Sequence, residues 1–146
     1  MQNKIDSLRV RMKDNNVDLV VLGPGTHMNW LLGFNPYPDE RPCMLLIGKE
    51  KEAFLMPSVN AEDARKRTDI AINSWKDDDG PEQALKEALV DIGESAAKHI
   101  AIDEAMRSHF ALIVIEALPS PTYEFTGSTI GALRMRKDQT EFINLK

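Results

Sequence analysis

"CMLLIGKEKEAFLMP", residues Cys43 to Pro57, decides the fold. Two short apolar runs flank Gly48 and a charged cluster from Lys49 to Glu52. That is the pattern of a β-hairpin whose polar turn faces water. A hairpin is antiparallel, so a sheet that contains it cannot be all parallel.

Working outward toward the N-terminus, "NPYPDERP" (35–42) carries three prolines and must be a loop, because proline removes a backbone donor and fixes φ. Before it, "THMNWLLGF" (26–34) reads as a short helix closed by Gly33, and "DLVVLG" (18–23) as a buried strand running into the turn "GPG". From Asn3 to Asn15, Ile5, Leu8 and Met12 share one helical face.

Toward the C-terminus, helix and strand alternate. "AEDARKR" follows Ser58 or Asn60 as a helix cap, and "IAINSW" is the next strand. The acidic turn "DDDGP" leads into a helix with Pro81 at its first position and Ala84, Leu85, Ala88, Leu89 and Ile92 on its apolar face. "HIAID" is a strand, Met106, Phe110, Ile113, Val114 and Ala117 mark another helix stopped before "PSP", and "TYEFTG" closes as the last strand. The expected fold is α/β: a three-layer arrangement with a mixed sheet of about six strands flanked by helices. Strand order is not legible at this level.

The chain has 146 residues, 42% hydrophobic and 28% charged, with a net charge of -5. One domain and one soluble core suit that length. The negative charge argues against a nucleic-acid partner. No run approaches a membrane span and the first residues lack the apolar core of a signal peptide, so a cytoplasmic location is expected. Cys43 is the only cysteine, which suits a reducing compartment.

A hydrolytic site needs a nucleophile, a base or a metal cage. His99 and His109 have no second ligand at helical spacing and read as structural or surface residues. His27, between the first strand and Trp30, is the histidine placed where a cleft could form. Cys43 opens a hairpin strand and reads as a small buried hydrophobe. "GPGTHM" resembles half of a phosphate loop, but its third glycine is missing and Pro24 lacks a donor, so a tight turn is expected. The loop "GFNPYPDERP" differs from a mere connector: it carries Phe34, Tyr37, Asp39, Glu40 and Arg41 on a stiff excursion.

At this loop a family resemblance emerges. "LGPGTHMNWLLGFNPYPDERPCMLLI" resembles the segment that marks the amino-terminal domain of the creatinase, prolidase and Xaa-Pro aminopeptidase family, with Asn29, Leu31, Gly33 and Phe34 matching an "N-x-x-Y-L-T-G-F"-like helix. Trp30 stands where an aromatic is usual, and Leu32 departs from threonine or serine. "FLMPSVNAEDAR" and the closing "TGSTIGALRMRKDQTEFINLK" follow in the family's order, the latter resembling its "L-R-x-I-K" passage into a long helix, with Arg136 in place of an aliphatic residue.

The resemblance implies a ribonuclease H-like domain over residues 1–132 and, over 133–146, the start of a linker helix toward a catalytic "pita-bread" domain that this sequence does not contain. In such proteins two Asp, one His and two Glu of that second domain hold two divalent ions, manganese, cobalt or zinc, which activate water for amide hydrolysis. The expectation for this chain is therefore no catalytic residue and no metal of its own. Its implied role is to support a homodimer and wall the entrance for Xaa-Pro peptides. Arg41 would pair with a substrate carboxylate, Phe34 or Tyr37 would pack on a proline ring, and His27 and Trp30 are further substrate-binding candidates. Two other readings stay open: a free-standing nucleotide or small-molecule binder using the "GPG" turn, and a relative of creatinase acting on a guanidino substrate.

Overall fold

The structure, a computed structural model, describes residues 1–136. The helix start expected at Asp138, with Glu141 completing its capping box, lies outside the described residues. The elements run α1 (Gln2–Asp14), β1 (Leu19–Leu22), α2 (Thr26–Leu32), β2 (Met44–Gly48), β3 (Glu52–Pro57), α3 (Ser58–Arg65), β4 (Ala71–Trp75), α4 (Glu82–Asp91), β5 (His99–Ile102), α5 (Ser108–Ala117) and β6 (Thr122–Phe125). A single 3₁₀ turn (Thr126–Ser128) follows, and residues 130–136 are helical.

All six strands form one sheet in the order β4-β3-β2-β1-β5-β6. The expected hairpin is present: β2 pairs antiparallel with β3 from Met44 opposite Leu55 to Ile47 opposite Glu52. β1 also runs antiparallel to β2, whereas β1–β5, β5–β6 and β3–β4 are parallel. The sheet is mixed, as the hairpin requires.

Side-chain alternation sorts the strands into two cores. Val20, Leu22, Leu45, Ile47, Phe54 and Met56 face α1, α2 and α3. Leu19, Val21, Leu46, Leu55, Ile100 and Ile102 face α4 and α5. Strands buried on both faces read as continuous apolar runs, which is why "LVVL" and "MLLI" show no period of two. Among the described residues α1, α2, α3 and the helical run 130–136 cover one side and α4 and α5 the other, which completes the three layers.

Helix boundaries depart from the sequence reading in three places. Neither Ser58 nor Asn60 caps α3: Pro57 is the N-cap, and the Ser58 hydroxyl instead donates to the Trp75 carbonyl at 3.1 Å. Pro81 stands one position before α4 rather than inside it. Met106 precedes α5, in the connection from β5. At α3 the helix takes in the residues read as its cap, whereas at α4 and α5 the strand-to-helix turn keeps a residue that the sequence reading placed inside the helix. Gly33 does close α2, in the left-handed conformation (φ 83°) that spares glycine a steric penalty.

Candidate functional site

The sheet has a topological switch point. After β1 the chain turns to α2 on one face, while after the adjacent parallel strand β5 it turns to α5 on the other. In open α/β sheets the crevice outside the carboxyl ends of two such strands is where ligands bind. His27 lies on the β1 side of that crevice, and Asp103 and Glu104 lie on the β5 side.

Asp103 is 3% exposed and its carboxylate is used structurally. It accepts the Gly23 amide at 3.2 Å and the Ala105 amide at 3.0 Å. The Gly25 amide donates to the Asn35 side chain at 3.2 Å, and Pro24 has no amide hydrogen. Every donor of the "GPG" turn is therefore either consumed or missing, so the turn cannot cradle a phosphate. A side chain at Gly23 would also meet the Met106 Cγ at 2.8 Å.

His27 is the hub of a second network. Its Nε2 lies 2.6 Å from Glu104 Oε1 and its Nδ1 lies 3.0 Å from Arg134 Nη1. A guanidinium can only donate, so Nδ1 accepts and the ring's proton resides on Nε2, donated to Glu104. The Thr126 amide donates to Glu104 Oε2 at 3.1 Å, and its hydroxyl donates to the same carboxylate at 2.9 Å. Burial pushes the Glu104 carboxyl up, but the bonds from His27 and Thr126 outweigh it and hold the group below the ordinary glutamate value. Arg134 also donates to Thr26 Oγ1 at 3.2 Å.

His27, Asp103 and Glu104 each bring one ligand-type atom to within 4.8 Å of the others. The chemistry of the donors does not make them a ready metal cage. A ligating imidazole must carry its proton on the other nitrogen, and at His27 that nitrogen faces a guanidinium donor. Both ring nitrogens are engaged.

The Pro-rich loop lies on the other side of the β1 turn and is braced from three elements. Trp75 Nε1 donates to the Pro42 carbonyl at 3.0 Å, His109 Nε2 lies 2.9 Å from the Glu40 carbonyl, and Arg41 lies 3.6 Å from Asp77. Within the loop, Arg41 donates to Asp39 through its amide at 2.8 Å and through its side chain at 3.0 and 3.2 Å. The bond from the Arg41 amide, with the guanidinium beside it, holds the Asp39 carboxyl below its usual value. Arg41 lines a cavity of about 170 Å³ together with Cys43, Met106, Arg107 and Phe110. Cys43 is buried there, which pushes its thiol up to about 12.

The five sequence candidates do not converge. Arg41 lines the small cavity, and His27 sits in the crevice network. Tyr37 is 75% exposed at the loop tip. Phe34 packs inward at 6.3 Å from the Phe54 ring. Trp30 lies under Lys4, whose ammonium is 4.5 Å from the ring centroid and donates to the Trp30 carbonyl. Asp103, Glu104, Thr126 and Arg134 were not singled out from the sequence. A signal for Asp103 and Glu104 was available in "IDEA", two carboxylates directly after a buried parallel strand, at the end where crevices form; Thr126 and Arg134 had none.

The family model for the creatinase/prolidase N-terminal domain matches residues 4–136. The chain belongs to that family. Among solved structures, this creatinase/prolidase N-terminal domain is similar to a dipeptidase from Pyrococcus horikoshii OT3, at 23% identity and a TM-score of 0.79 over 90% of this chain. It spans 36% of that dipeptidase. It is also similar to a proline dipeptidase structure from Streptococcus pneumoniae (19% identity, TM-score 0.78, covering 91% of this chain and 96% of that one). A third is the creatinase/prolidase N-terminal domain of an X-Pro dipeptidase from Streptococcus pyogenes (18% identity, TM-score 0.76, covering 86% and 94%). No curated protein sequence matches it significantly. Among the described residues no helix is long and apolar enough to cross a membrane.

Proposed function

We propose that this domain is the non-catalytic partner of a dinuclear-metal domain in a cytoplasmic, homodimeric protein of the Xaa-Pro dipeptidase type. Its part is to hold the Pro-rich loop at the substrate entrance. The observation that carries the reading is the bracing of that loop: tethers from Trp75, His109 and Asp77 fix a segment whose tip, Tyr37, is left exposed. Such rigidity lowers the cost of ordering a binding loop when ligand arrives. The Arg41 fork is occupied by Asp39. A substrate carboxylate would compete for the same donors, which suits Arg41 to selection among substrates rather than to bulk affinity. The metal ions would reside in the other domain and supply the activated water.

The chemistry within this chain supports its non-catalytic part. His27 has both nitrogens engaged, and the Cys43 thiol is buried and protonated at neutral pH. The test is proline release from an Xaa-Pro dipeptide with added manganese, by this chain alone and by the polypeptide that joins it to a dinuclear-metal domain. Hydrolysis by this chain alone overturns the non-catalytic reading. In the joined polypeptide, Arg41→Ala should raise KM with no change in Tm, and unchanged kinetics would remove Arg41 from the entrance. Cleavage of creatine but not of an Xaa-Pro dipeptide would favour the amidinohydrolase reading.

A further inference from the structure

We infer that the open edge of β6 is the face through which two copies of this chain associate, their β6 strands pairing antiparallel about a two-fold axis at Glu124. The inference rests on the homodimeric reading proposed above and assigns it a surface. In the six-strand sheet β6 is paired on one side, with β5. The Thr122 amide donates to the Lys98 carbonyl at 2.8 Å, so Thr122 and Glu124 turn their backbone groups toward β5. By the alternation of a strand, the amides and carbonyls of Tyr123 and Phe125 point away from the sheet.

Proteins commonly blunt such an edge with lysine, proline or a covering element. "TYEF" has neither lysine nor proline, and it leaves Tyr123 62% and Phe125 65% exposed. Both aromatic side chains line a groove of about 570 Å³ against α5, beside Leu112, itself 54% exposed. The other edge strand, β4, shows no exposed large apolar side chain.

The β6 edge complements itself. With the axis at Glu124, Tyr123 of each copy stands opposite Phe125 of the other, so that each amide meets a carbonyl and the rings form two cross-strand aromatic pairs. Glu124 stands opposite its own copy on the other face of the sheet. There the His99 ring at 2.7 Å and the Ser128 hydroxyl hold each carboxylate on its own chain. An aromatic side chain offers about 150–250 Å², so the exposed parts of Tyr123 and Phe125 amount to about 400–600 Å² over two copies. Leu112 and the paired main chains bring the interface to roughly 1,000 Å², the least that a specific interface needs. The chain alone should therefore dimerise weakly, with Kd on the order of 100 µM.

Sedimentation velocity from about 10 µM to about 1 mM reads the association. The native chain should pass from monomer to dimer across that range, and Phe125→Lys should stay monomeric throughout. Val59→Lys, at a site 70% exposed on α3, should dimerise as the native chain does. Both substitutions are at exposed positions and leave the core intact. A cross-link reads the register: opposed residues that exchange no hydrogen bonds lie about 4.5 Å apart in Cα, within reach of a disulfide. Glu124→Cys should give a disulfide-linked dimer under oxidised glutathione, Cys43 being buried, and Val59→Cys should not. A chain that stays monomeric over the whole range, one that still dimerises as Phe125→Lys, or failure of the Glu124→Cys cross-link overturns the assignment of this face. The homodimeric reading falls separately, if the joined polypeptide is itself a monomer.

Discussion

Glu94 offers the sharpest test of how this fold is held together. The residue follows α4, is 3% exposed and reaches across to the β2–β3 turn. There it accepts the Lys49 amide at 3.0 Å and the Lys49 ammonium at 2.7 Å. Gly48 leaves room for it, since a Cβ there would lie 2.7 Å from Glu94 Cγ. Glu94→Ala removes a bond from a backbone amide to a buried charge, worth about 1.5–3 kcal/mol. The ion pair adds less, because Lys49 is 55% exposed in its side chain and keeps Asp18 at 3.3 Å; an exposed pair contributes about 0–1 kcal/mol.

The sum is about 3 kcal/mol. At about 2–4 °C per kcal/mol for a chain of this size, Tm should fall by about 6–12 °C. The assay is thermal unfolding followed by circular dichroism at neutral pH, repeated in high salt. Screening weakens the exposed pair but not the amide bond, so most of the loss should persist in salt. A fall of less than about 2 °C, or one that salt abolishes, would refute the assignment of the buried amide bond as the main contribution.

Two further outcomes follow from the same geometry. Cys43, whose thiol burial pushes up to about 12, should resist a thiol reagent at pH 8 and react within minutes once the chain is unfolded in guanidinium; rapid native reaction would place it at an open surface. Gly33→Ala should cost about 1–2 kcal/mol by strain alone, because φ is 83° and nothing lies within 4 Å of the added methyl; equilibrium denaturation in urea checks it, and a neutral result would deny the left-handed cap.

Much of the fold was legible because its signals are local. The hairpin was readable from Gly48 and its flanking runs, α2 from the glycine that ends it, and α4 from the spacing of Ala84, Leu85, Ala88, Leu89 and Ile92. Sheet order was not, since β1 pairs with β5 across some eighty residues and nothing in "LVVL" names its neighbour. The crevice was legible only in part for the same reason. His27 was noticed for its place after a strand, but Arg134 meets it from 107 positions away and Thr126 from 99. Chain-distant polar pairs leave no periodicity to read.

That distance bears on what the crevice does. A phosphate turn or a catalytic histidine has to keep a donor or a lone pair available for its ligand, and such sites show it as an unsatisfied polar group. Among the described residues no buried side-chain nitrogen or oxygen lacks a partner. Asp103 spends both oxygens on backbone amides, and His27 spends both nitrogens on Glu104 and Arg134. The switch point, which in other open sheets receives a ligand, is here filled by the protein's own side chains. The groups proposed above to meet a substrate are at the surface, Tyr37 on its braced loop and the Arg41 fork, whose donors Asp39 holds from the same loop. Replacing Asp39 by Asn removes that competitor's charge, so in the joined polypeptide it should lower KM for a carboxylate-bearing substrate where Arg41→Ala raises it. Opposite shifts from adjacent residues would tie the effect to the fork itself, whereas a rise in KM for both would mean that the pair only maintains the loop.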